Sequence, residues 1–278
     1  MDSIIPGMVN ELPKFSAMYN MVHIDEKWFY MSDKIQRFYL FPWEDDPYRA
    51  TQSKTFMAKV MFNSGVARPH ITSDGEVIWD GKLGIFAFTE QVAAKKFKEQ
   101  MSKWPLGACK EIWIQQDNAR PHIHAGDTQF KEAATKDGFN IRLINQPAQS
   151  PDMNVLDLGF FRAFQLIQYK EFPKSVDELI KAVKDAYNIF NPKSLNYTWL
   201  HLQYCMLEIL QLNGGNNYKN PHKGKRRLES MGLLPVQIEV PTVTRVQAQQ
   251  FLSEGYVEVN ITQEHNIEDN MSQIEYEV

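Results

Sequence analysis

Apolar residues run together or alternate over the first half of the chain and fall into helical spacing over the second. Residues 19–24 form a short apolar run leading into Asp25. RFYLF (37–41) and TFMAKVMF (55–62) are rich in aromatic and branched residues, with the turn-rich WEDDPYRA between them, and they predict strands. Residues 66–71 and GEVIWDGKLGIFAF continue the strand pattern, and Asp80-Gly81 predicts a hairpin. Residues 89–103 have helical spacing that stops at Trp104-Pro105. Residues 111–116 then predict a buried strand with Asp117 at its carboxyl end.

Beyond that strand, a helix over 127–136 and a strand over 140–144 precede the loop NQPAQSPDMN. From Val155 the period is strongly helical, with Leu156, Phe160, Phe164 and Ile167 on one face. A second helix covers 175–190, where Ser175 and Glu178 form a capping-box pattern, and a third covers 192–212 and ends at Gly214-Gly215. Strands first, then strand–helix alternation, then helices predict an α/β protein with a mixed central sheet flanked by helices.

Composition narrows the class. A chain of 278 residues that is 43% hydrophobic and 12% aromatic has the makings of a real core. Two cysteines, Cys109 and Cys205, make neither a disulfide framework nor a structural zinc site, and fit a reduced cytosolic or nuclear compartment. The first 15 residues lack a basic region and a long apolar run, so no signal peptide is expected. No stretch of 18 apolar residues occurs, so no membrane span is expected. The net charge of −4 is uneven: from Glu239 onward eight acids face one base, Arg245, leaving residues 1–238 at about +3. That balance neither demands nor excludes a nucleic-acid partner, and it predicts a poorly ordered acidic tail over 239–278.

Three aspartates stand at predicted element ends: Asp25 after the first strand, Asp117 after the strand at 111–116, and Asp157 at the start of a helix. In an open sheet, ligands gather at the carboxyl ends of neighbouring strands, so pairing of those two strands would bring Asp25 and Asp117 side by side. Three carboxylates in one place repel at neutral pH and make sense only with cations. A single Asp at such a position is more often a cap or turn residue, as Asp152 after Pro151 illustrates. Glu26 should point to the face opposite Asp25 and is read as a supporting residue. His122 and His124 read as loop residues, and Trp28, Phe29, Phe160 and Phe161 as core beside the acids.

The strings around these residues are more specific than the residues themselves. VHIDEKWFYM, KVMFNSGVARP, DGKLGIFAF, IQQDNARPHI, NQPAQSPDMNVLDLGFFRAFQ and NGGNNYKNPHKGK with GLLP resemble the catalytic domain of mariner-like transposases, most closely the plant-type branch. The resemblance covers about residues 18–236. It implies a ribonuclease-H-like fold, Asp25, Asp117 and Asp157 as catalytic residues binding two Mg²⁺ (or Mn²⁺) ions, and DNA cleavage and strand transfer by a nuclear homodimer. Asp157, not Asp152, matches the third acid, and 39 residues (118–156) separate it from Asp117, the spacing of that branch. Asn118 and His122 match an extension in which side chains orient a carboxylate or a scissile phosphate.

Under the same resemblance residues 1–17 are a linker remnant, 18–238 a catalytic domain with a C-terminal helical part, and 239–278 the tail. The family's helix-turn-helix end-binding region has no counterpart before Asp25, and the segment around 89–104 is short for the branch. The basic run YKNPHKGKRR supplies Lys219, Lys223, Lys225, Arg226 and Arg227 as candidate DNA-phosphate contacts or a localisation signal. The alternative is a catalytically silent, domesticated or fragmentary transposase acting through dimerisation.

Overall fold

The computed structural model describes residues 4–5, 12–31, 58–88, 103–119, 122–168, 170–171 and 173–254. In chain order the strands are β1 (Ile4–Ile5), β2 (Lys14–Phe15), β3 (Met21–Tyr30), β4 (Lys59–Ala67), β5 (His70–Ile71), β6 (Val77–Trp79), β7 (Lys82–Ala87), β8 (Glu111–Gln116) and β9 (Asn140–Asn145). The helices are α1 (Thr128–Ala134), α2 (Phe161–Gln168), α3 (Val176–Ile189), α4 (Pro192–Gln211), α5 (Lys225–Ser230) and α6 (Thr242–Glu254). The strand expected at 37–41 and the helix expected over 89–103, apart from Lys103, lie outside the described residues.

Two compact units make up the chain: Met18–Leu202, and Met1–Ala17 together with Gln203–Val278. The larger unit holds a five-stranded sheet in the order β7-β4-β3-β8-β9. β7, β4 and β3 are mutually antiparallel, while β3, β8 and β9 run parallel. This is the mixed sheet that the strand–helix alternation predicts.

Both faces of the sheet are covered. On β3 the period of two sends Val22 to one side and Phe29 to the other. Val22 packs with Ile112, Ile114 and Trp104 in one cluster. Phe29 and Phe62 lie edge-to-face at 5.4 Å, and Phe29 meets Phe164 at 5.1 Å. Phe160 and Tyr187 join that second cluster, both buried. The Tyr187 hydroxyl donates to Gly65 O at 2.8 Å and accepts from Gly84 N at 2.9 Å, tying α3 to β4 and β7. Trp28 alternates outward and is 42% exposed under Lys59, which corrects its expected place in the core.

Helix boundaries follow local chemistry closely. Ser175 caps α3 by accepting from Glu178 N at 3.1 Å, and the Glu178 carboxylate reaches back to Lys174 N at 2.7 Å. Asp127 caps α1 through Phe130 N.

Two expectations fail for non-local reasons. Asp80-Gly81 does not close a hairpin: β6 pairs with β5, and β7 pairs with β4. Gly81 sits at φ 75° with its carbonyl accepting from Ala67 N, and a Cβ there would meet Ala67 O at 2.4 Å. The glycine is therefore needed for close backbone approach to the end of β4.

The second concerns the termini. The smaller unit joins segments expected to be separate linker and tail: Phe15 N donates to Ile238 O and Val240 N to Pro13 O. Thr242–Glu254 is helical, so disorder does not begin at 239. Residues 255–278 lie outside the described residues.

Candidate functional site

The parallel ladder between β3 and β8 runs Met21↔Trp113, Val22↔Ile114, His23↔Gln115. Continuing that register by two residues sets Asp25 level with Asp117, side chains on the same face. Asp25 does not end its strand, contrary to expectation; it lies two residues past the end of the parallel pairing, and β3 continues to Tyr30 against β4.

Asp157 comes from the other direction. Leu156–Phe160 is a π-helical turn that continues into α2, with Phe161 N bonded to Leu156 O. Single π turns insert one extra residue per turn and recur at functional sites because they re-aim a side chain. Here the turn exposes Asp157 while burying Leu156 and Phe160. Asp25, Asp117 and Asp157 together line a cavity of about 350 Å³, closed on one side by the loop Gln146–Pro151. Asp152, read from the sequence as a turn residue, is not among the lining residues.

Burial, and next the neighbouring Asp157 carboxylate, push the Asp25 carboxyl up to about 7. A like charge beside a half-buried carboxylate disfavours its ionised form. Asp25 Oδ1 accepts from Glu26 N at 2.7 Å and Oδ2 from Asn154 Nδ2 at 3.1 Å. Among the described residues no three His, Cys, Asp or Glu side chains are gathered closely enough to hold a metal ion as they stand. Asp117 is engaged elsewhere: its Oδ1 lies 2.7 Å from His122 Nδ1 and accepts from Ala119 N at 3.0 Å. The chemistry of the donors nevertheless fits hard divalent ions, which take carboxylate oxygens in preference to softer ligands.

Two residues that frame the site escaped the sequence reading. Asn154 holds Asp25 through its amide, while its Oδ1 accepts from Leu156 N at 3.0 Å. One side chain thus links β3 to the turn carrying Asp157, and an Asn just before an apolar helical run is the signal that was there to find. His23 is fully buried, and burial pulls it down to about 3, so it is neutral and its Nδ1 accepts from Val155 N at 3.1 Å. Its ring packs against Trp199 at 4.7 Å.

The remaining expected residues divide. Glu26 and His122 come together, with Glu26 Oε2 3.2 Å from His122 Nε2. Asn118 lines the same cavity as the three aspartates, and its amide donates to Gln146 O at 3.1 Å and so holds the cavity loop. Gln146 continues the brace through Gln116 O and Ser150 O. Lys219, Lys223, Lys225, Arg226 and Arg227 belong to the smaller unit. Lys223 and Lys225 lie over the Tyr204 ring at 5.8 and 5.9 Å, and burial pulls Lys225 below the usual lysine range. Among the described residues no helix is long and apolar enough to cross a membrane.

No protein-family model matches the chain, and no curated protein matches it in sequence. Its fold is similar to that of the mariner Mos1 paired end complex with Mg, at a TM-score of 0.52 and 16% identity over 74% of this chain and 58% of that one. The Mos1 mariner paired end complex with Mn is matched at a TM-score of 0.51 and 16% identity, over 73% and 57%. The matched region thus spans less than two thirds of the solved chains. The sheet order, the flanking helices and this likeness make the fold ribonuclease-H-like, as the resemblance implied.

Proposed function

We propose that the chain is a transposase-type catalytic domain that cleaves and rejoins DNA phosphodiesters, with Asp25, Asp117 and Asp157 holding two divalent cations, Mg²⁺ or Mn²⁺. The observation that carries the reading is the register of β3 on β8 together with the π turn, which lead three aspartates distant in sequence to one cavity. When bound, such ions lower the pKa of an attacking water or hydroxyl and stabilise the leaving oxygen.

The chain's own residues do the positioning. Asn154 and the Glu26 amide fix both oxygens of Asp25. His23, kept neutral by burial, fixes the backbone at Val155 and so the start of the turn that carries Asp157. The buried Phe160, Phe161 and Phe164 behind that turn keep it from yielding when like charges meet. The cavity that Asp157 shares with the Gln146–Pro151 loop is where the scissile phosphodiester would bind.

In this reading the partners are DNA and a second copy of the chain, and the compartment is the nucleus. The plant-type branch is the assignment favoured by the 39-residue spacing. A second reading, a silent domain acting through association, is favoured by the spread of the three aspartates as they stand. The two part on one experiment. Full-length protein with Mn²⁺ should nick supercoiled DNA, and Asp117→Asn should reduce nicking to background. Absence of divalent-ion binding, or nicking that survives Asp117→Asn, overturns the enzymatic reading.

A further inference from the structure

Glu26 sits beside Asp25 on β3, and the pleat sends the two side chains to opposite faces. Glu26 is nevertheless connected to the cavity. Its Oε1 accepts from Asn63 Nδ2 at 2.5 Å, the residue directly opposite it on β4. Its Oε2 lies 3.2 Å from His122 Nε2, and the far side of that imidazole, Nδ1, lies 2.7 Å from Asp117 Oδ1. The side chains of Glu26 and His122 are only 21% and 18% exposed, so the chain of contacts runs through the protein and not over its surface.

We propose that Asn63, Glu26 and His122 form a positioning relay that sets the rotamer of Asp117. The inference rests on the reading of Asp117 as a metal-binding residue. Each element of the relay is held from the side remote from the site. Asn63 is anchored in the ladder and orients Glu26; Glu26 anchors one ring nitrogen; the other ring nitrogen meets Asp117. The loop that carries His122 is itself pinned, since His122 N donates to Ala119 O and Gln116 Nε2 donates to Ile123 O at 2.8 Å.

The consequence for Asp117 is an asymmetry between its two oxygens. His122 Nδ1 and Ala119 N converge on Oδ1. Among the described residues none donates to Oδ2, so Oδ2 is the oxygen left to take a cation. A carboxylate held through one oxygen would offer the other in a set direction, and that is what outer partners of metal-binding carboxylates accomplish. Glu26 and His122 touch neither ion nor substrate in this scheme. They act through Asp117.

The test uses the full chain, with Mn²⁺ as the probe, and reads both Mn²⁺ affinity by electron paramagnetic resonance and the Mn²⁺ dependence of DNA nicking. Glu26→Ala and His122→Ala should each weaken Mn²⁺ binding about 10- to 100-fold. Nicking at saturating Mn²⁺ should change much less. The double variant should bind no more weakly than the worse single variant, because both substitutions break one chain of contacts. Glu26→Gln keeps an oxygen that accepts from His122 and should recover most of the affinity, with unfolding midpoints confirming that each variant is folded. Unchanged Mn²⁺ affinity in folded Glu26→Ala and His122→Ala, or fully additive losses in the double variant, overturns the relay while leaving the site intact. Failure of the wild-type protein to bind Mn²⁺ overturns the reading of the site, and the relay with it.

Discussion

One face of the central sheet carries two environments that differ as sharply as any in the molecule. At one end Phe29 and Phe62 meet Phe160, Phe164 and Tyr187 in a dry aromatic layer. At the other, Asp25 and Asp157 press like charges together at the edge of an open cavity. Both ends are built from the same two segments, β3 and the π turn running into α2. Asp25 and Phe29 are four residues apart on a strand, and Asp157 and Phe160 lie within one turn of each other. The first environment is stable because every group in it is satisfied by packing. The second is unstable in isolation, and its neighbour holds it in place. A site that gathers like charges needs a rigid support, and here that support is adjacent in sequence.

Removing the support should produce the largest effect. Phe160→Ala deletes a fully buried ring with four aromatic neighbours. It should cost about 3–5 kcal/mol of stability in urea unfolding. Nicking should fall in the fraction that remains folded as well, because the ring backs the turn that carries Asp157. Full nicking by the folded variant would mean that the aromatic layer supports the site only through overall stability.

A smaller change at the junction tests the link between the two regions. Asn154→Ala removes the bond to Asp25 and the cap on Leu156 N together, and should cost about 1–2 kcal/mol. Mn²⁺ affinity should fall about tenfold as well, since a side chain that orients a ligating carboxylate is lost. An unchanged affinity in isothermal calorimetry would separate Asn154 from the site.

The smallest change should carry the opposite sign. The folded pKa of Asp25, about 7, lies above its unfolded value of 3.8, so the folded state binds more protons between those limits. In metal-free buffer the wild-type protein should therefore be at its best below about pH 4 as far as this group is concerned, lose stability as pH rises towards about 7, and then level off. Asp25→Asn should lack that loss and be more stable at pH 8 by about 1 kcal/mol, the open cavity screening the rest. Mg²⁺ should raise the melting temperature of the wild type but not that of Asp25→Asn. A variant less stable than wild type at pH 8 without metal would show that Asp25 is not strained by its surroundings.

Much of this organisation was open to a reader of the sequence. The period of 3.6 and the Ser175/Glu178 pair located α3 to within a residue or so of Val176–Ile189. The apolar runs located β8 and β9, and with them Asp117 at a strand end. Local signals of this kind depend on residues within one or two turns of each other, so they survive without knowledge of the fold. Trp28 and Phe29 show where they stop, because only the pleat and the neighbouring strands decide which of two adjacent aromatics is buried.

What the sequence by itself determined is most of the described elements and the presence of three aspartates, with Asp117 just past a strand end and Asp157 in the first turn of a helical segment. Tertiary structure alone decided that β3 and β8 pair in the register that levels Asp25 with Asp117, and that β6 leaves β7 for β5. It also decided that Glu26, although on the other face of its strand, reaches Asp117 through His122. Each of these is a contact between segments far apart in the chain. Register and side-chain reach are chosen by the summed packing of the whole sheet, and no local period encodes them.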